Sequence, residues 1–188
     1  MKEDPSYRGH LLVAAPELLD PNFRQTVVLI VEHGEHGTLG LVLTRPSDTT
    51  VKDLWDQIGV GEEPCSSDRP LYVGGPVEGP LMALHTHESL ADSTVLPGVF
   101  FSVQKENLTE LVTKPDDSYR LFIGHAGWGS GQLEAEMKEG SWLILPATAE
   151  RIFYDGDDLW DKARAEIASD SLISRLGIKH APSNPRLN

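Results

Sequence analysis

The sequence predicts an α+β fold in a single domain, and three observations carry that prediction. A chain of 188 residues is long enough for one domain with a substantial core. Its apolar residues, 39% of the total, are gathered into short runs instead of being diluted along the chain. The first half is dominated by strand-like runs, whereas the second half alternates strand-like and helix-like segments.

His10 to Ala14 is a short apolar strand, and Asp20-Pro-Asn-Phe23 a turn, because Pro presets φ and Asp or Asn bonds the local backbone. Thr26 to Val31 is β-branched and apolar on both faces, the mark of a fully buried strand. Glu32 to Gly37 separates it from Leu39 to Leu43, so the pair predicts a hairpin with a longer loop. Thr50 is placed to cap a helix, with Asp53 three positions on and Val51, Leu54, Trp55 and Ile58 on one face.

Gly59 to Asp68 is a polar, mobile excursion. Leu71 to Val73 and Leu81 to Leu84 are strands around a Gly- and Pro-rich loop, residues 74–80. Val99 to Val103 is a strand and Glu106 to Val112 a short helix. Tyr119 to Ile123, Gln132 to Lys138 and Trp142 to Leu145 follow as strand, helix and strand. Two C-terminal helices come last. The longer carries an apolar stripe of Leu159, Trp160, Ala163 and Ile167, and Gly177 closes the final one.

Charge and composition narrow the functional classes. Asp and Glu number 29 against 16 Lys and Arg, a formal net charge of −13, and the basic residues form no run. Phosphate neutralisation supplies most non-specific nucleic-acid affinity, so this balance argues against direct DNA binding. No apolar run approaches the roughly 20 residues that span a bilayer. The polar N-terminal stretch and the single cysteine, Cys65, point to the cytoplasm and exclude an internal disulfide framework.

Many of these residues recur in a recognisable order: Leu11-Leu-Val-Ala-Ala-Pro16, Asp20-Pro-x-Phe23, Val27 to His33, Gly37-x-x-Gly-Leu41 and Arg45-Pro46. They continue as Gly74-Gly-Pro-Val77, Leu84-His85, Gly124-x-Ala-x-Trp128-x-x-Gly-Gln-Leu-Glu134-x-Glu136, Trp142, Pro146-Ala147, Phe153 and Trp160. In this the chain resembles the YqgE/AlgH family over roughly residues 9–177. Residues 1–8 and 178–188 flank that single domain as flexible ends. The resemblance implies a pseudo-barrel built on a strongly bent, mostly antiparallel sheet with flanking helices. It also implies a regulator of transcription without an established enzyme activity. Thr44, His87 and His125 depart from the family's usual residues.

Four chemical readings can be weighed on the residues. Gly124 to Glu136 offers a Gly-rich turn before a helix, but it lacks Gly-Lys-Ser/Thr, and Glu134, Glu136 and Glu139 oppose an anion. It is read as a structural corner, with Gly131 at the N-cap and Glu134 as half a capping box. Ser130 is excluded as a nucleophile, because Trp128 and Gln132 stand where an elbow needs glycine. His33, His36, His85 and His87 include a same-face pair if 85–87 is a strand. The preferred reading makes His33 and His85 hydrogen-bonded structural residues, with no metal and no cofactor. The fourth reading gathers Glu32, His33, Arg45, His85, Trp128, Gln132 and Glu134, all at strand ends or loop starts. These either line one cleft or form a structural polar network, and the residues leave both open.

The function expected is therefore that of a regulator acting indirectly, through a protein partner or a small ligand. The alternative is an enzyme, hydrolytic or nucleotide-handling, that uses a Glu/His cleft.

Overall fold

The computed structural model describes residues 6–58, 65, 67–113 and 118–176. Residues 1–5 and 178–188 of the expected flexible ends, most of the excursion at 59–68, and Gly177 lie outside the described residues. The elements run β1 (His10–Ala14), β2 (Val27–Gly34), β3 (Gly37–Val42), β4 (Pro46–Thr50), α1 (Val51–Ile58), β5 (Pro70–Val73) and β6 (Met82–His85). After a 3-10 turn at Glu88–Leu90 come β7 (Ser93–Leu96), β8 (Val99–Ser102), α2 (Lys105–Thr113), β9 (Tyr119–Ile123) and β10 (Ala126–Trp128). The chain then forms α3 (Gln132–Lys138), β11 (Trp142–Pro146), α4 (Ala149–Ile152) and α5 (Leu159–Leu176).

The strands form two sheets. The first has the order β10-β3-β2-β1-β11 and the second β4-β5-β9-β6-β8-β7. All pairs are antiparallel except β5–β9. The chain crosses between sheets at β3–β4 and again at β9–β10, and Gly74 bridges the two crossings: its N–H donates to the Ile123 carbonyl and its carbonyl accepts the Val42 N–H.

Alternation along the strands explains why the two sheets stack. Leu11, Val13, Leu29, Val31 and Leu41 from the first sheet meet Met82, Leu84, Phe101 and Phe122 from the second in one central core. The opposite residues of the first sheet, Leu12, Val28, Ile30 and Val42, pack on Trp128, Leu133 of α3 and Trp142. The outer face of the second sheet, with Leu71, Ala83 and Leu121, is covered by α1 and α2 through Trp55, Leu108 and Leu111. Both sheets are thus apolar on both faces, which is why their central strands read as continuous apolar runs.

Most predicted elements are present, and the differences have local causes. The hairpin loop is shorter than expected, because β2 continues through Glu32 and His33 to Gly34, which pairs with Gly37. A bulge between Ile30 and Glu32 lets the strand shed its apolar register and keep pairing. Gly37 sits at φ +129, and a Cβ there would lie 2.4 Å from the Trp128 carbonyl oxygen, so only glycine lets β10 come this close. The strands β4, β7 and β10 are unpredicted. At the C-terminus, the stripe from Leu159 and the segment reaching Leu176 are one continuous helix, preceded by the short α4.

The Thr50 cap forms as a reciprocal box: Asp53 N–H donates to Thr50 Oγ1 (3.1 Å) and Thr50 N–H to Asp53 Oδ2 (3.0 Å). The Thr50 N–H and the Thr50 hydroxyl, which also donates to Asp53 Oδ2 (2.8 Å), hold the Asp53 carboxyl below its ordinary pKa, the backbone bond most strongly. The α5 stripe is seated by Leu159 and Ala163 in the central core and by Trp160 Nε1, which donates to the Ala14 carbonyl at 2.9 Å.

Candidate functional site

The Gly-rich stretch that precedes α3 is more than a corner. Ala126–Trp128 forms β10 and pairs with β3, placing Trp128 opposite Thr38. Since Thr38 also pairs with His33, the side chains of His33, Thr38 and Trp128 lie in one row on the face that α3 covers. Gly131 is the α3 N-cap, in the left-handed region at φ +74. The expected half capping box is absent: Glu134 turns to His33, and the start of the helix is tied by Gln132 Oε1, which accepts the Gly129 N–H at 3.0 Å.

Two hydrogen-bonded groups result. In the first, Tyr7 N–H donates to His33 Nδ1 (3.3 Å), which places the ring proton on Nε2, and Nε2 donates to Glu134 Oε1 at 2.8 Å. Burial opposes ionisation of Glu134, but its own backbone N–H, the His33 hydrogen bond, and electrostatic attraction to His33 and Lys138 together outweigh it. The carboxyl is held below its ordinary pKa. A cavity of about 310 Å³ adjoins the pair, lined by Tyr7, Glu134, Met137 and Lys138.

The second group is centred on Glu136. Its Oε2 accepts from Trp128 Nε1 (2.9 Å) and Trp142 Nε1 (2.8 Å), and its Oε1 from Gln132 Nε2 (2.9 Å). Phe23 stacks on Trp128 and meets Trp142 edge-on, at centroid distances of 5.9 and 5.4 Å. A single carboxylate thus satisfies two indole N–H groups that would otherwise be buried without acceptors.

The remaining expected residues lie elsewhere. His85 is fully buried on β6 of the second sheet. Its Nδ1 accepts the His87 N–H (3.2 Å), and its Nε2 donates to Ser102 Oγ (2.9 Å), which in turn donates to the Leu90 carbonyl (2.5 Å). The strand ends at His85 and the chain enters the 3-10 turn, so His85 and His87 do not form a same-face strand pair. Arg45 follows β3 and donates to the Arg24 carbonyl at 2.6 Å; burial first, and then the Arg24 charge, lower its pKa. Glu32 is exposed on β2 beyond the bulge, and His36 is exposed in the hairpin turn. Among the described residues, no group of three or more His, Cys, Asp or Glu is placed to hold a metal ion.

The structure therefore brings together His33, Trp128, Gln132 and Glu134 around α3 and keeps His85 and Arg45 apart from them. Glu136, Trp142 and Tyr7 join the α3 site without having been among the candidates. The one available signal was Glu136 standing four residues after Gln132 on a helix.

The class the chain falls in is a two-sheet α+β domain. The chain belongs to the AlgH-like family, whose model matches residues 11–171. It is 39% identical over 171 residues to a UPF0301 protein of Myxococcus xanthus, covering 89% of this chain and 94% of that one. The solution structure of AlgH from Pseudomonas aeruginosa is similar, with a TM-score of 0.74 and 31% identity, covering 97% of this chain and 100% of that one. A crystal structure of a Corynebacterium diphtheriae protein matches with a TM-score of 0.70 and 27% identity, over 88% and 90% of the two chains. No helix among the described residues is long and apolar enough to cross a membrane.

Proposed function

We propose that the protein is a non-enzymatic regulator that acts in the cytoplasm through a protein partner or a small ligand, without gripping DNA itself. One observation supports the binding role most. The side chains best suited to acid–base work are engaged inside the fold: His85 through both ring nitrogens, and Glu136 by three donors. General acid–base catalysis needs a group within reach of a substrate proton, and these groups are directed at their own backbone and indoles. The net charge of −13 supports indirect action on transcription, and the free, buried Cys65 suits a reducing compartment. The link to transcription itself comes from the family resemblance.

A second reading, an enzyme of hydrolytic or nucleotide-handling class, draws on the His33–Glu134 pair beside its cavity. A carboxylate that orients a histidine is a recurring acid–base arrangement.

A melting-temperature screen of the purified protein against nucleotides and sugar phosphates, with turnover assayed by NMR, separates the two. A ligand at a hundred times its Kd stabilises by about 2.7 kcal/mol. In a domain of this size that raises Tm by roughly 5–10 °C. The first reading expects either a hit recovered unchanged or no hit at all. Conversion of a hit that stops in His33→Gln would overturn it and establish the second.

A further inference from the structure

The second sheet carries a pocket that none of the expected site residues lines. It lies beside the parallel pair β5–β9, against the start of β4 and the segment between α4 and α5, and encloses about 370 Å³. That is at the lower end of small-molecule sites, about 300–1,000 Å³. Pro46, Pro70 and Val51 form an apolar wall. The polar side carries two arginines, each laid over a tyrosine ring: Arg120 over Tyr72 at 4.6 Å and Arg69 over Tyr119 at 4.7 Å.

Stacking fixes the planes of both guanidiniums, which suits them to grip an oxyanion in a fork. Arg120 is a buried cation, its side chain only 4% exposed. It donates to the carbonyls of Leu43 and Tyr154 and reaches Asp155 Oδ1 at 3.3 Å. The Asp155 side chain is 94% exposed, so the buried charge is balanced by a carboxylate that stands in water. A carboxylate standing in water is screened and compensates the buried guanidinium only weakly, whereas an anion held close inside the pocket would compensate it better. Arg69 sits at the mouth and donates to the Tyr119 carbonyl at 3.1 Å. Burial raises the pKa of both tyrosines against the pull of the arginines, so the phenols add no negative charge. In a chain of net charge −13, this wall concentrates positive charge.

We infer that this pocket binds the oxyanion head of a small organic molecule, a phosphate monoester or a carboxylate. Arg69 and Arg120 hold the head, Asp155 is the counter-ion it displaces, and the proline-lined wall packs the organic part. The pocket is separate from the α3 network, so a failure here would leave a partner-based regulator standing.

Amide chemical shifts of the full chain, titrated with phenyl phosphate and with benzoate at matched ionic strength, test the assignment. Arg69 is exposed, so Arg69→Gln removes a binding group without emptying the core. At least one probe is expected to give saturable shifts along β5 and β9, weakened about tenfold by Arg69→Gln and tightened several-fold by Asp155→Asn. Response to phenyl phosphate alone identifies a phosphate ester, and to benzoate alone a carboxylate. Absence of saturable shifts with either probe at about 10 mM, in both the wild type and Asp155→Asn, overturns the assignment. So does binding that Arg69→Gln leaves unchanged.

Discussion

At the scale of single residues, Glu136 carries the largest responsibility in the α3 region. Trp128 and Trp142 are each about 4% exposed, and both indole N–H groups end on its Oε2. Leaving a buried donor without an acceptor costs about 1–3 kcal/mol. Glu136→Ala is therefore expected to destabilise by a few kcal/mol, lowering Tm by about 2–4 °C for each kcal/mol. Glu136→Gln, which keeps an acceptor oxygen, should lose less. Denaturant melts check this, and a loss below about 1 kcal/mol for the alanine variant would show that water replaces the carboxylate. Glu136 was visible in the sequence as part of a motif. That two tryptophans from different strands converge on it was not, because β10 and β11 are opposite edges of one sheet and their indoles meet only once that sheet has folded.

At the scale of elements, what could and could not be read from the sequence follows burial. Central strands such as β2, buried and apolar on both faces from Val27 to Val31, declare themselves in a short window. The three unpredicted strands, β4, β7 and β10, all lie at sheet edges. The polar Pro46–Thr50 has no buried residue in its five positions, and β10 is only three residues long. An edge strand is defined by a neighbour's unpaired backbone, which leaves little mark on its own composition. The glycine at position 37 is the clearest trace of β10. Gly37→Ala should force the strand away from the Trp128 carbonyl, at a cost of about 1–3 kcal/mol or more. Amide exchange would show it as faster exchange confined to β10 and the adjoining end of β3. Unchanged protection there would mean the hairpin relaxes without disturbing its neighbour.

At the scale of the whole molecule, both sheets contribute to one central core through residues such as Leu29, Leu41, Leu84 and Phe122. Sheets that share their inner layer are expected to lose it together. The slowest amides of β2 and of β9 should then report the same opening free energy, within about 0.5 kcal/mol. A second sheet that opens several kcal/mol more easily than the first would mean that the outer clusters, not the shared core, set stability.

By itself the sequence determined the α+β class, the central strands, the α1 cap, the α5 stripe and the family, because each is written in local spacing or in a fixed order of residues. Only the tertiary structure decided which polar groups meet. His33 and Glu134 are 101 positions apart, and Arg120 and Tyr154 are 34 apart. His85 reaches its partners inside the second sheet instead of joining His33. Hydrophobic periodicity acts within a few residues and so survives in the linear chain. A hydrogen bond between distant side chains exists only once two sheets have stacked and an edge strand has found its place, and no short window of sequence contains that step.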